Sequence, residues 1–137
     1  MNNITPIDGR YKKLTVSLKS LFTEYAFIEQ RVIIEIKYFL FLLKLNNDAF
    51  PDNDNLRIFM ENLSNNISFQ HIDSIKLIEN KIHHDVKSIE YFLTKQLQDN
   101  HFHKYINLLH FGLTSQDVNT MAYSISLHKF KNNIFIP

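Results

Sequence analysis

His110-Phe111-Gly112-Leu113-Thr114-Ser115-Gln116-Asp117-Val118-Asn119 reads as the close of one helix, a tight glycine break and the start of another. Gly112 is one of only two glycines in the chain. Glycine ends helices readily because it enters a left-handed turn without a side-chain clash. Thr114 and Ser115 stand where N-caps stand, and Asp117 falls in the first turn, where a carboxylate suits the positive helix end. Alone, Thr-Ser-x-Asp is ordinary capping in a helix–turn–helix joint. Its company points further. His110 precedes the break, and two hydroxyls lie beside a row of free backbone N–H groups, a combination able to hold a carboxylate or a phosphate.

Outward from this joint, the chain reads as helical. Between Tyr11 and Pro51 there is neither proline nor glycine, and the apolar spacing is that of helices. A short helix is expected over 11–21, and Thr23-Glu24 opens a long one running to about Leu45. The second half of that helix is apolar on almost every side: Val32, Ile33, Ile34, Ile36, Phe39, Leu40, Phe41, Leu42 and Leu43. Such a helix belongs inside a large body or against other subunits. Much of the surface of Tyr38–Leu45 is therefore expected to stand exposed in an isolated chain. Asn46 to Asn55 reads as a loop around Pro51, with Asp54 or Asn55 capping a helix of about 55–65. Further helices are expected at about 70–80, 85–98 and 103–111, and a last one from Ser115. Val86, Ile89, Leu93 and Leu97, with Phe92 beside them, form the stripe of the 85–98 helix. Nothing resembles a strand pair with its turn, so the expected fold class is all-α. Ile134-Phe135-Ile136 stands just before Pro137 with no cap or polar tail, which reads as a cut rather than a terminus.

Composition narrows the function. The chain's 137 residues make one modest domain or part of a larger one, and 45% are apolar, enough for a core. A formal charge of +1 gives no general case for nucleic acid. The absence of cysteine excludes disulfides and thiolate metal sites. The first residues lack the basic and apolar regions of a secretory signal. The longest apolar run, Tyr38 to Leu43, is far short of the ~20 residues that span a bilayer. A cytoplasmic location without membrane contact is expected.

Two other segments could carry chemistry. His83-His84-Asp85-Val86-Lys87 opens an amphipathic helix, and a histidine beside an aspartate there suits proton transfer or a polar ligand. The plainer reading is a capping aspartate with two exposed histidines. Asp8-Gly9-Arg10-Tyr11 sets an arginine, well matched to phosphate or carboxylate, beside a flexible glycine. Taken alone it is a surface loop. His101 and His103 add imidazoles, but no His-x3-His pair shares a helix face with a third ligand, so no metal is expected. His71 and His128 read as structural. The twelve phenylalanines read as core.

The wording and order of these segments resemble the N-terminal part of the adenylosuccinate lyases, of the fumarase/aspartase superfamily. The likeness rests on Thr5–Tyr11, TPIDGRY; His84–Leu93, HDVKSIEYFL; and His110–Asn119, HFGLTSQDVN. It covers nearly the whole chain. The resemblance implies an all-helical homotetramer with three domains per subunit, built on a central helix bundle. Residues 1–111 would be the N-terminal helical domain and 112–137 the first part of the bundle domain. It also implies elimination of fumarate from adenylosuccinate to give AMP, and from the succinylcarboxamide ribotide SAICAR to give AICAR, without a cofactor.

By the same resemblance Arg10 and Tyr11 would bind the nucleotide end of the substrate, near its phosphate. His84 would lie near the reacting succinyl group, with Asp85 in the site. His110 would be a further substrate-contacting histidine, and Thr114 and Ser115 would hold a succinyl carboxylate. His83 departs from the pattern, since asparagine is common there, and is carried over as substrate-adjacent. The family's catalytic histidine and serine lie in segments that do not occur in this chain, which by itself is expected to be inactive. The competing readings are another fumarate-releasing lyase of the superfamily, such as an argininosuccinate lyase or the cycloisomerase branch, and a non-catalytic helical interaction module.

Overall fold

The computed structural model describes residues 5–45 and 53–136. Its helices are α1 (Lys19–Phe22), α2 (Glu24–Leu45), α3 (Asp54–Asn65), α4 (Phe69–Ile82), α5 (Asp85–Asp99) and α6 (Ser115–Phe130). Short 3-10 turns cover Val16–Leu18 and His103–Leu108, and a π-turn covers Lys131–Phe135. Among the described residues there is no strand. No described helix is long and apolar enough to cross a membrane.

Local chemistry sets the helix ends. Thr23 Oγ1 accepts the Ala26 N–H at 3.2 Å and starts α2. Asn53 Oδ1 accepts the Leu56 N–H at 3.1 Å and starts α3. The cap of α3 is therefore Asn53 and neither Asp54 nor Asn55, because the cap must precede the first helical residue. Ser68 and His71 cap α4 reciprocally: Ser68 Oγ accepts the His71 N–H, and His71 Nδ1 accepts the Ser68 N–H. The loop expected over 46–55 lies mostly outside the described residues.

Every later helix packs on α2. Ile28, Val32, Ile36, Phe39 and Leu43 of α2 enter the main core with residues of α3, α4 and α5 and with Tyr105, Leu108 and Leu109. The α5 stripe contributes Ile89, Phe92, Leu93 and Leu97. On another side of α2, Ile34 meets Val86, Val118 and Ala122 in a second, smaller cluster that seats α6. Phe27 and Tyr123 add a ring contact at 4.4 Å between α2 and α6.

These two clusters correct one expectation. Phe39, Leu42 and Leu43 are buried within this single chain. Only part of the 38–45 surface stays open, chiefly Phe41 at 55% and Leu45 at 64% exposure. The helix reads as apolar all round because two cores flank it.

The N-terminal expectation also fails. Residues 5–15 form successive turns in place of the first part of a helix, and α1 begins only at Lys19. Leu14, at 78% exposure, meets no core, and a helix without a packed face has little to hold it. The helix expected over 103–111 is a 3-10 segment that ends at Leu108.

Candidate functional site

The histidine–aspartate segment lies at a sharp joint. His83 closes α4 in the left-handed conformation, at φ 54°, and its N–H donates to Glu79 O at 2.7 Å. His84 is the N-cap of α5, its Nδ1 accepting the Lys87 N–H at 3.1 Å. The expected capping aspartate is thus displaced by its neighbour, and Asp85 is freed for another partner. His83, His84 and Asp85 line an open hollow of about 560 Å3 with Glu79 and Asn80. A second cavity of about 400 Å3 shares Glu79 and Asp85 and adds Thr23, Phe27, Arg31, Tyr123 and Ser126 among others.

The partner of Asp85 is Arg31 of α2. Arg31 Nη2 donates to Asp85 Oδ2 at 2.6 Å, and Arg31 Nε donates to Asn119 Oδ1 at 2.8 Å. The guanidinium carbon lies 4.2 Å from the centre of the Phe27 ring. One arginine thereby ties the start of α5 to the first turns of α6. Forked donors make this possible; a lysine presents a single charged point.

One turn along α2, Glu35 takes hold of the opening stretch. Its Oε1 lies 2.6 Å from His110 Nδ1. Glu35 is 1% exposed, and burial pushes its carboxyl above the usual range, opposed by the bond to His110. Tyr38, a further turn along, donates its hydroxyl to Phe111 O at 3.0 Å. Two residues of the joint take left-handed backbone, His110 at φ 56° and Gly112 at φ 73°. A Cβ at Gly112 would find room, with Tyr38 Oη 3.9 Å away. Backbone conformation, rather than space, is what favours glycine there.

At the start of α6, the Thr114 N–H and hydroxyl both donate to Asp117 Oδ2 at 2.8 Å. Thr114 therefore turns into its own helix, and Ser115 beside it is half-buried. These bonds hold the Asp117 carboxyl below the usual aspartate range. A depressed pKa contributes stability above the ordinary aspartate value, lost as pH falls through the lowered one. Asp117→Asn is expected to remove that part of the acid sensitivity. Acid unfolding followed by circular dichroism checks this, and an unchanged pH profile would contradict it.

The third segment stands apart. Arg10 Nη2 donates to Tyr11 Oη at 2.8 Å, and the guanidinium carbon lies 4.8 Å from the Tyr11 ring centre. Both residues are exposed. Thr5 fastens the loop by two bonds to Asp8 Oδ1, at 2.9 and 3.0 Å. Among the described residues, no hydrogen bond or ring contact joins Arg10 or Tyr11 to residues 83–85 or 110–115. Sequence reasoning missed Arg31 and Glu35. Their only signal was two charges interrupting an apolar run, spaced so as to share one helix face.

The long helix that braces two helix starts and a histidine-bearing joint sits in a body that is all-helical among the described residues. No family model matches the chain. Over 98% of its length it is 37% identical to adenylosuccinate lyase of Buchnera aphidicola subsp. Baizongia pistaciae, covering 29% of that protein. Over 93% of its length it is 36% identical to adenylosuccinate lyase of Legionella pneumophila (strain Corby), covering 28%. The Dictyostelium discoideum adenylosuccinate lyase is 35% identical over the whole chain, which covers 31% of it. The chain thus matches an N-terminal portion of adenylosuccinate lyases and spans about 30% of the length of these relatives.

Proposed function

We propose that this chain supplies the substrate-binding N-terminal part of an adenylosuccinate lyase, which eliminates fumarate from adenylosuccinate and from SAICAR. The observation that carries the reading is 37% identity to such an enzyme over 98% of the chain. The geometry supports it: the joint holding His110 and the α6 start are tied through α2 to the start of α5. In this reading residues 1–111 are one helical domain and 112–137 begin the next. The whole enzyme is a cytoplasmic homotetramer that works without a cofactor.

The elimination needs a base for the Cβ proton, an acid for the departing nitrogen and donors for the aci-carboxylate formed between the two steps. We assign His84 and Asp85 to the succinyl end, with His83 adjacent, and His110 as a further contact. Arg10 and Tyr11 take the nucleotide phosphate from their exposed loop. Ser115 and the backbone N–H groups of the α6 start take a carboxylate. Thr114 joins them by turning its hydroxyl away from Asp117.

A chimera tests this directly. The chain is joined to the remaining portion of the Buchnera relative, and fumarate release from adenylosuccinate is followed by absorbance. Release by the chimera is expected, and none by the chain alone. A folded, tetrameric chimera with no activity would count against the reading. In an active chimera, Ser115→Ala is expected to lower kcat/KM by about 1–3 kcal/mol of lost charge-assisted bonding. Unchanged kcat/KM would return Ser115 to a purely structural role.

A further inference from the structure

Resting on that reading of His110, we propose that Glu35 is a positioning residue: it fixes the His110 ring with its proton on Nδ1 and presents Nε2 to the ligand as a bare acceptor. The contact is short, 2.6 Å from Oε1 to Nδ1, between a side chain 1% exposed and one 18% exposed. Among the described residues, Nε2 has no hydrogen-bond partner, and the one buried polar side-chain atom lacking a partner is Ser126 Oγ. Nε2 is therefore the open edge of the ring. Which ring nitrogen carries the proton is set by the bond the other makes, and an ionised carboxylate accepts only.

The backbone is held to the same end. His110 keeps a left-handed conformation, φ 56°, which is costly for any residue with a Cβ. The Tyr38 hydroxyl bound to Phe111 O pins the next residue. Glu35 and Tyr38 lie three residues apart on α2, so one helix face holds both the ring and the peptide beyond it. A neutral ring held in this way is complementary to a donor on the substrate, an N–H or O–H, and not to one of its carboxylates. The site thus divides its labour. The α6 start offers donors to an anion, and His110 offers an acceptor to a substrate amine or hydroxyl.

The test is the histidine ring spectrum of this chain, with 15N-labelled histidine, recorded without substrate at about pH 8.5, where an ordinary imidazole is neutral. Wild type is expected to show Nδ1 protonated and Nε2 bare. Glu35→Met, which removes the acceptor, is expected to shift the proton to Nε2. Glu35→Gln, whose amide oxygen still accepts, is expected to restore the wild-type pattern. A wild-type ring protonated on Nε2 overturns the proposal, as does a Glu35→Met chain with the wild-type pattern. If Glu35→Met does not fold, the wild-type spectrum decides. Because no substrate is present, an inactive chimera leaves this result standing, and a bare Nδ1 removes the role of Glu35 whatever the chimera does.

Discussion

Phe39→Ala is expected to cost about 3–5 kcal/mol of folding stability, the range for emptying a buried phenylalanine site. Phe39 is fully buried at the centre of the main core, among residues from α2, α3, α4 and α5. With so many elements meeting there, the walls have little freedom to collapse into the space. A domain of this size is stable by only about 5–15 kcal/mol, so the loss is a large share of the whole. Phe41→Ala, two residues along the same helix but 55% exposed, is expected to change stability by at most about 0.5–1 kcal/mol. Urea unfolding of the pair reads the contrast. Equal effects would mean that this face of α2 is not packed as described.

The second large effect is expected at Arg31. Arg31→Ala should destabilise the chain by about 2–3 kcal/mol, the loss of hydrogen bonds to charged and polar partners at a nearly buried site. Breaking a fully buried pair costs about 3–5 kcal/mol. Here the side-chain exposures are 10% for Arg31 and 41% for Asp85, so water recovers part of the stranded carboxylate and the lower figure applies. Arg31→Lys keeps the charge and loses the fork, so it should recover only part of the stability. A double-mutant cycle with Asp85→Ala isolates the ion pair. Additive losses would show that Arg31 stabilises through Phe27 and Asn119 alone.

The parts legible in the sequence were those governed by neighbours in the chain. Thr23 and Glu24 marked the start of α2, and the Val86–Leu97 stripe marked α5, because caps and periodicity are local. The glycine break before α6 was legible for the same reason, although His110 shares the left-handed backbone with Gly112. Near misses came from adjacent residues: Asn53 caps as well as Asp54 does, and His84 Nδ1 takes the Lys87 N–H while Asp85 is held by Arg31. The 11–21 segment misled because apolar spacing reveals a stripe but not whether a surface awaits it. Leu14 and Val16 are both exposed.

For the site, three segments were legible, but not how they are tied. Asp85 and Asn119 lie 54 and 88 residues from Arg31, and His110 lies 75 residues from Glu35. At such separations the pattern of one segment says nothing of the other. Within an apolar run, Arg31 and Glu35 looked like interruptions, whereas each is the α2 end of a tertiary bond.

Those long separations bear on the order in which the chain can settle as it is made. At roughly 5–20 residues per second of synthesis, Asn119 follows Arg31 by 88 positions, a delay of several seconds or more. During that interval the Arg31 fork lacks its Asn119 acceptor, and Glu35 waits for His110. Asp85 can meet Arg31 as soon as α5 is made, and His110 can meet Glu35 before α6, so only the Arg31–Asn119 bond waits for the α6 helix itself. Among the described helices, α6 is thus the one that completes the hold on the Arg31 side of α2.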